Sequence, residues 1–232
     1  LALTGPAVAV SSACSSSAKV FGNAQRMIAA GLCDAAIVGG VDSLCLTTLY
    51  GFNSLQLVSK NPCKPFDAAR DGISIGEAAG FALLEKSDEP IGNDQMALLG
   101  VGESCDAYHM STPHPEGLGA RMAMQGALTQ AGLSTHDIDY INLHGTATRS
   151  NDATEALAVN TIFGNGVAAS STKGWTGHTL GAAGIIEAII SFIAIEENFM
   201  PGSMHTDTID PAVEIQYLKE NRQAPVKRVL SN

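Results

Sequence analysis

One cysteine and two histidines stand where chemistry is easiest to build. Cys14 follows the short apolar run Ala7-Val8-Ala9-Val10 and the linker Ser11-Ser12-Ala13, and it precedes three serines and an apolar pattern of helical spacing. That pattern puts a thiol at the turn between a buried strand and a helix. Unpaired N–H groups and the macrodipole at a helix start favour a thiolate and lower the thiol pKa. Most free cysteines are inert packing groups, but a sharp strand-to-helix turn displays a reactive atom as a nucleophile elbow does. Cys33, Cys45, Cys63 and Cys105 lack that setting and are assigned to packing.

His144 lies in His144-Gly145-Thr146-Ala147-Thr148 and His178 in Thr176-Gly177-His178, each beside glycine at a strand-to-helix junction. Either alone reads as a satisfied structural histidine. Two in the same topological position, with Cys14 in a third, suggest a convergent cluster. Lys173 precedes His178 by five residues, a spacing that by itself fits a solvated surface lysine. Asp67, Arg70 and Asp71 read as a structural salt-bridge knot. His109 and His114 fall in a loop and read as solvated, with a cavity mouth as the alternative for His109. His136 and His205 carry no motif. No phosphate-binding or dinucleotide fingerprint follows a strand, no histidines pair at metal spacing, and Gly181-Ala-Ala-Gly184 is a helix-packing pattern.

The elements that must position these groups alternate. Strands are expected at Ala7–Val10, Ala35–Val41, Gly80–Glu85, Met96–Glu103, Ile138–Leu143 and Val167–Ser171. Helices are expected at about Ala18–Ala30, Ala120–Ala131, Asn151–Phe163 and Gly181–Glu196, with Gly31 and Gly132 as stops. Asp152 and Glu155 sit in the first turn of the third helix, where the dipole favours acids. Asp106–Gly119 is a loop by composition. Strands alternating with helices indicate an α/β fold with buried sheets.

Of the 232 residues 45% are apolar, enough for a substantial core, and the formal charge is -10. An acidic chain is a poor nucleic-acid binder, since phosphate recognition rests on clustered Lys and Arg. A local basic patch could still meet an acidic protein partner. The five cysteines are odd in number and contain no C-x-x-C pair, so they read as thiols in a reducing compartment. No uncharged apolar run reaches the ~18 residues that a membrane helix needs, and no signal sequence opens the chain. The expectation is a soluble, cytoplasmic protein with no nucleic-acid or membrane partner. Both ends read as cut, with Leu1 just ahead of Thr4-Gly5-Pro6 and an apolar run closing at Asn232.

Three motifs carry a resemblance: Ser12-Ala13-Cys14-Ser15-Ser16-Ser17, His144-Gly145-Thr146-Ala147-Thr148, and Lys173-Gly-Trp-Thr176-Gly177-His178-Thr-Leu-Gly181-Ala-Ala-Gly184. With Pro65-Phe66-Asp67, Arg70-Asp71-Gly72 and Asp106-Ala-Tyr-His-Met110, they make the whole chain resemble the elongating β-ketoacyl-acyl carrier protein synthases of fatty acid and polyketide synthesis.

The resemblance implies a thiolase-like fold, layered α-β-α-β-α. Residues 1–86 would be the end of its N-terminal half and carry the nucleophile, and 87–232 would be the C-terminal half with both histidines. It implies that Cys14 accepts an acyl chain from acyl carrier protein, and that malonyl-acyl carrier protein loses carbon dioxide and condenses with the Cys14 thioester. His144 and His178 would donate hydrogen bonds to the malonyl thioester oxygen, Lys173 would orient them, and Glu187 would be the acidic partner of that lysine. Thr146 and Thr148 would bind the phosphopantetheine arm, which the carrier delivers, so no resident cofactor and no metal are expected.

A homodimer is the implied assembly, with a heterodimer as the alternative. The family continues past Asn232 into a glycine-rich loop and has a long segment before Cys14. Gln56 falls where several members carry an arginine that meets the carrier. The serines after Cys14 lean toward polyketide or polyene-type enzymes. Two rivals remain: a thiolase, which needs a second cysteine as base, and a non-catalytic chain-length partner subunit, which lacks the nucleophilic cysteine.

Overall fold

The computed structural model describes residues 3–87, 91–92, 95–109 and 112–232. Its first elements are helix α1 (Ser16–Ala29), strand β1 (Ala35–Asp42), helix α2 (Leu46–Ser54) and strand β2 (Ala78–Glu85). Helix α3 (Leu118–Ala131), strand β3 (Tyr140–Asn142), helix α4 (Arg149–Phe163) and strand β4 (Ala168–Ser170) follow. The chain ends with short helix α5 (Lys173–Thr176), helix α6 (Ala183–Glu196) and strands β5 (Phe199–Met200), β6 (Gln216–Tyr217), β7 (Arg222–Gln223) and β8 (Val229–Ser231).

β3 sits at the heart of a four-stranded sheet in the order β6-β4-β3-β8, with every pairing parallel. Parallel strands are buried on both faces, and every residue of β3 and β4 is buried. On one face Ile141, Ala169, Tyr217 and Leu230 pack with Met124 and Leu128 of α3 and Ala156, Val159 and Phe163 of α4. On the other, Tyr140, Ala168 and Met200 pack with Ile195 of α6.

β1 and β2 form an antiparallel ribbon from Ala35↔Glu85 to Asp42↔Ala78. Its inner face, with Val38, Ala82 and Leu84, joins Phe21 and Ala24 of α1 and Ile185 and Ile189 of α6 in a second core. Helix α6 therefore touches both the ribbon and the parallel sheet. The described layers run ribbon, α1 with α6, parallel sheet, α3 with α4. Four of the five expected layers are thus in place, and the ribbon's outer face, with Ile37, Val41, Phe81 and Leu83, is exposed.

Glycines set the close packing of α1 on α6. A Cβ on Gly184 would lie 2.4 Å from the Ala18 backbone nitrogen, so Gly181-Ala-Ala-Gly184 is the helix-packing device its pattern indicated. Because α1 and α6 cross at their N-terminal ends, whatever precedes each helix is brought together.

Two expected strands do not form. Ala7–Val10 forms no regular element, with Ala7, Val8 and Ala9 exposed, and no described strand pairs with it. Residues 96–103 lie along helix α3 rather than in a sheet. A Cβ on Gly102 would meet the Ala123 carbonyl at 1.8 Å, and Val101 N–H donates to Gln130 Oε1 at 2.5 Å. The same segment reaches α1, where Glu103 pairs with Lys19 and Arg26 at 3.0 and 3.1 Å. The run 96–102 is continuously apolar, a pattern that over so short a stretch reads as a buried strand, but Met96, Leu98 and Leu99 are exposed and it is the glycines that approach α3.

The loop before α3 is pinned by Asp106, which accepts from His114 N–H at 2.9 Å and Gly119 N–H at 2.8 Å. Met110, the end of one motif, lies outside the described residues, as do Leu1 and Ala2. Among the cysteines assigned to packing, Cys63 is buried and Cys33 half-buried, but Cys45 and Cys105 are exposed and fill no core.

Candidate active site

His144 and Lys173 come together because β3 and β4 are parallel neighbours, so the residues just past their carboxyl ends share one edge of the sheet. Lys173 is 2% exposed and its ammonium donates to the His144 carbonyl at 2.5 Å. It also forms a close ion pair with Glu187 of α6, which compensates the burial of both charges. A third donation reaches His144 Nδ1 at 3.3 Å. An ammonium can only donate, so Nδ1 is the acceptor and the ring proton of a neutral His144 resides on Nε2.

The turn that carries His144 is locked from below. Glu155, buried in α4, accepts from the N–H groups of His144 and Gly145 at 2.7 and 2.8 Å. Asp152 accepts from Ala147 and Phe66 N–H at 3.1 and 2.7 Å. Gly145 has φ +41, and a Cβ there would lie 2.4 Å from that of Ser171. Burial pushes the Asp152 carboxyl up to about 7 against these donors. Asp152 and Glu155 were legible in the sequence only as helix-start acids; their work is to hold the histidine turn.

His178 precedes α6 and is placed by a strand-like bridge to Ile75. Its N–H donates to Ser74 O at 2.7 Å, and its carbonyl accepts from Gly76 N–H at 3.0 Å. A segment punctuated by glycine and proline gave no hint of that role.

Cys14 ends the approach from α1. Helix α1 begins at Ser16, so Cys14 lies just outside it, after Ala13 at φ 52. A non-glycine residue in that region is strained, which matches the elbow expected at this turn. The α1–α6 crossing then sets Cys14 Sγ 3.0 Å from His178 Nε2. The two imidazoles stand edge to face with centroids 5.2 Å apart. Sulfur and both rings thus share one pocket.

The electrostatics correct one expectation. The Cys14 thiol is not lowered; burial raises it above its ordinary 9.0, with the Lys173 charge opposing. Burial, helped by the same ammonium, holds His144 well below 6.5 and His178 down at about 3. Burial also pushes the Glu187 carboxyl up, against the pull of Lys173. At neutral pH the site holds a thiol and two neutral imidazoles. His178 Nδ1 is buried and has no hydrogen-bond partner among the described residues, so nothing fixes which nitrogen carries its proton.

Thr146 and Thr148 flank the same turn with hydroxyls 3.0 Å apart, and Thr148 accepts from Asn151 N–H to cap α4. The Arg70 knot is real, with different members. Arg70 pairs with Asp210 at 2.6 Å and approaches Asp152 at 3.7 Å. The Asp67 carboxylate instead accepts N–H groups of Ala69, Asp207 and Thr208, and Asp71 is exposed. His109, His136 and His205 are exposed, and His114 stacks edge-on against Tyr108.

Residues 1–89 match the beta-ketoacyl synthase N-terminal domain, and residues 96–207 match the beta-ketoacyl synthase C-terminal domain. The chain is 41% identical over 226 residues to the 3-oxoacyl-[acyl-carrier-protein] synthase 2 of Rhizobium meliloti (strain 1021), covering 91% of this chain and 53% of that protein. It is similar to the ketosynthase ApeO, solved in complex with its chain length factor ApeC, from Xenorhabdus doucetiae. That match has TM-score 0.91 and 46% identity over 98% of this chain and 56% of the other. A type II polyketide ketosynthase bound to a hexaketide, solved with its acyl carrier protein, matches with TM-score 0.91 at 26% identity, covering 98% of this chain and 60% of that one. The chain spans little more than half the length of these relatives.

Proposed function

This chain belongs to the β-ketoacyl synthase family, with a thiolase-like α/β fold, and from that premise we propose that it catalyses decarboxylative condensation of acyl and malonyl thioesters. The observation that carries the reading is the meeting of Cys14 Sγ, His178 Nε2 and the His144 ring in one pocket, drawn from three separate junctions.

In the first half-reaction Cys14 sulfur attacks the carbonyl of an acyl thioester. Its proton passes to His178 Nε2 at 3.0 Å and leaves with the departing carrier thiol. A thiol held above 9.0 needs such a base at the moment of attack. In the second, the malonyl carbon–carboxylate bond breaks, carbon dioxide departs, and the electron pair moves onto the thioester as an enolate. N–H groups of His144 and His178 stabilise the charge that develops on its oxygen, an interaction stronger in the transition state than in the ground state. The enolate carbon then attacks the Cys14 thioester, and the sulfur leaves.

Lys173 fixes His144 as an Nε2–H donor, while His178, free to hold its proton on either nitrogen, accepts in one step and donates in the other. Glu187 holds Lys173 in place through their ion pair. Thr146 and Thr148 take the phosphopantetheine arm, and no resident cofactor is required.

The partner we infer is an acyl carrier protein, supported by the related ketosynthase solved with one. The subunit pairs either with its own copy or, as ApeO does, with a chain length factor; light scattering of the protein alone and with such a subunit separates the two. The retained Cys14 disfavours a purely shaping subunit. No described helix is long and apolar enough to cross a membrane.

The test is single-turnover kinetics of each half-reaction in His144→Ala and His178→Ala. Loss of an oxyanion donor costs roughly a hundred- to a thousandfold, so malonyl decarboxylation should fall by that order in both. Normal decarboxylation in both variants would remove the histidines from that step.

A further inference from the structure

Helix α6 has no cap of its own. The residue before it, Ala182, offers no side-chain acceptor, and the 180–182 turn ahead of it follows Thr179, whose hydroxyl makes no capping bond. The N–H groups at a helix start need partners from somewhere. Two side chains from the far end of the sequence supply them. Ser17 Oγ of α1 accepts from Ile185 N–H at 3.0 Å, and the Asp42 carboxylate at the end of β1 accepts from Gly181 N–H at 2.9 Å.

The approach is tight. A Cβ on Gly40 of β1 would lie 2.5 Å from that of Ser17, and one on Gly181 would lie 3.0 Å from the Asp42 carboxylate. Between His178 and Gly181 the turn contains Leu180 at φ 49. A leucine in the left-handed region is strained and keeps that conformation only where its surroundings hold it. Asp42 holds the turn from outside at the very next residue. Three residues back, His178 Nε2 stands 3.0 Å from Cys14 Sγ. Both acceptors thus come from elements beside the nucleophile, and they tie the histidine's turn to that side of the pocket.

We propose that Asp42 is a positioning residue for the reaction: by accepting the Gly181 N–H it seats the 178–182 turn and keeps His178 Nε2 within reach of the Cys14 sulfur. It touches no reacting atom and acts through His178, so the inference rests on the catalytic reading of that pair. Burial is the main reason the Cys14 thiol stands above its ordinary value, and the Glu187 and Asp42 charges add to it. The carboxylate therefore acts in two ways, as an acceptor and as a charge. Asparagine separates them, since it keeps an acceptor oxygen and loses the charge.

The experiment compares Asp42→Ala with Asp42→Asn in single-turnover acylation of Cys14 by an acyl-carrier thioester. A catalytic group misplaced by about 1 Å costs up to about a hundredfold, so Asp42→Ala should slow acylation by at least about tenfold while Asp42→Asn stays within about threefold of the parent. In a His178→Ala background Asp42→Ala should add nothing, because its effect passes through that ring. The ¹⁵N resonances of the His178 ring, identified by their loss in His178→Ala, should move in Asp42→Ala and stay near the parent's in Asp42→Asn. Should Asp42→Ala fail to fold, Asp42→Ser, whose shorter side chain does not span to Gly181 N–H, takes its place with the same expectations. Equal slowing in the Ala and Asn variants, parent-like acylation in Asp42→Ala, or an undiminished effect in the His178→Ala background overturns the proposal. A His178 signal that moves as stated, in a protein whose Cys14 takes no acyl group, would keep the positioning and refute the catalytic reading instead.

Discussion

Replacing Lys173 by Met should be among the most damaging single changes in the molecule, and a second change should repair the fold without repairing the chemistry. The side chains of Lys173 and Glu187 are 2% and 7% exposed and paired with each other. Removing one partner of a buried ion pair strands the other charge, at about 3–5 kcal/mol. With a urea dependence of about 2–3 kcal/mol per molar, that moves the unfolding midpoint down by roughly 1–2 M. Lys173→Met with Glu187→Leu leaves no charge stranded and keeps apolar volume, so most of the loss should return, to within about 1 kcal/mol.

The His144 ring then lacks the donor that fixes its proton on Nε2. Malonyl decarboxylation should therefore stay depressed in the double variant even as the midpoint recovers. Urea denaturation followed by tryptophan fluorescence and single-turnover decarboxylation give the two readouts. A single variant within about 1 kcal/mol of the parent, or a double variant with full decarboxylation, would refute the reasoning.

Three further outcomes follow from the same geometry. Gly145→Ala puts a Cβ 2.4 Å from that of Ser171 at φ +41, and should cost about 2–4 kcal/mol from strain and overpacking combined; denaturation midpoints check it. Because burial raises the Cys14 thiol above 9.0, its alkylation by iodoacetamide should still accelerate as pH passes 9.0; a plateau near neutrality would show a preformed thiolate. His178 is depressed from 6.5 to about 3 in the folded state, so its contribution is full above 6.5 and is lost as pH falls toward 3. Between pH 6 and 4 the stability difference between the parent and His178→Asn should shrink by up to about 1.4 kcal/mol per pH unit, and a pH-independent difference would contradict the assignment.

What the sequence revealed, and what it hid, divides along the range of the interactions. Periodicity found α1, α3, α4 and α6 because their apolar faces repeat locally, and Gly132 ends α3 at φ +66 as a helix stop should. Local motifs likewise marked Cys14, His144 and His178, whose junctions with glycine or strained backbone are written in adjacent residues. Contacts across long separations were not visible. Residues 96–102 form a continuous apolar run that reads as a strand, but their glycines approach α3. Glu155 looked like a dipole partner until its two backbone donors were placed. The Cys14 pKa went the wrong way because the helix start is a local feature, whereas burial is a property of the assembled fold. Ser74–Gly76, which sets His178, lies about a hundred residues upstream in a segment whose composition says only turn.

The most direct test of the central claim is to incubate the protein with an acyl-carrier thioester, quench, digest, and locate the acyl group by mass spectrometry. The account predicts one acyl group per chain, on the peptide carrying Cys14, lost in Cys14→Ser and discharged when malonyl thioester is added. An acyl group on Cys33, Cys45, Cys63 or Cys105 instead, or acylation that persists in Cys14→Ser, would contradict it.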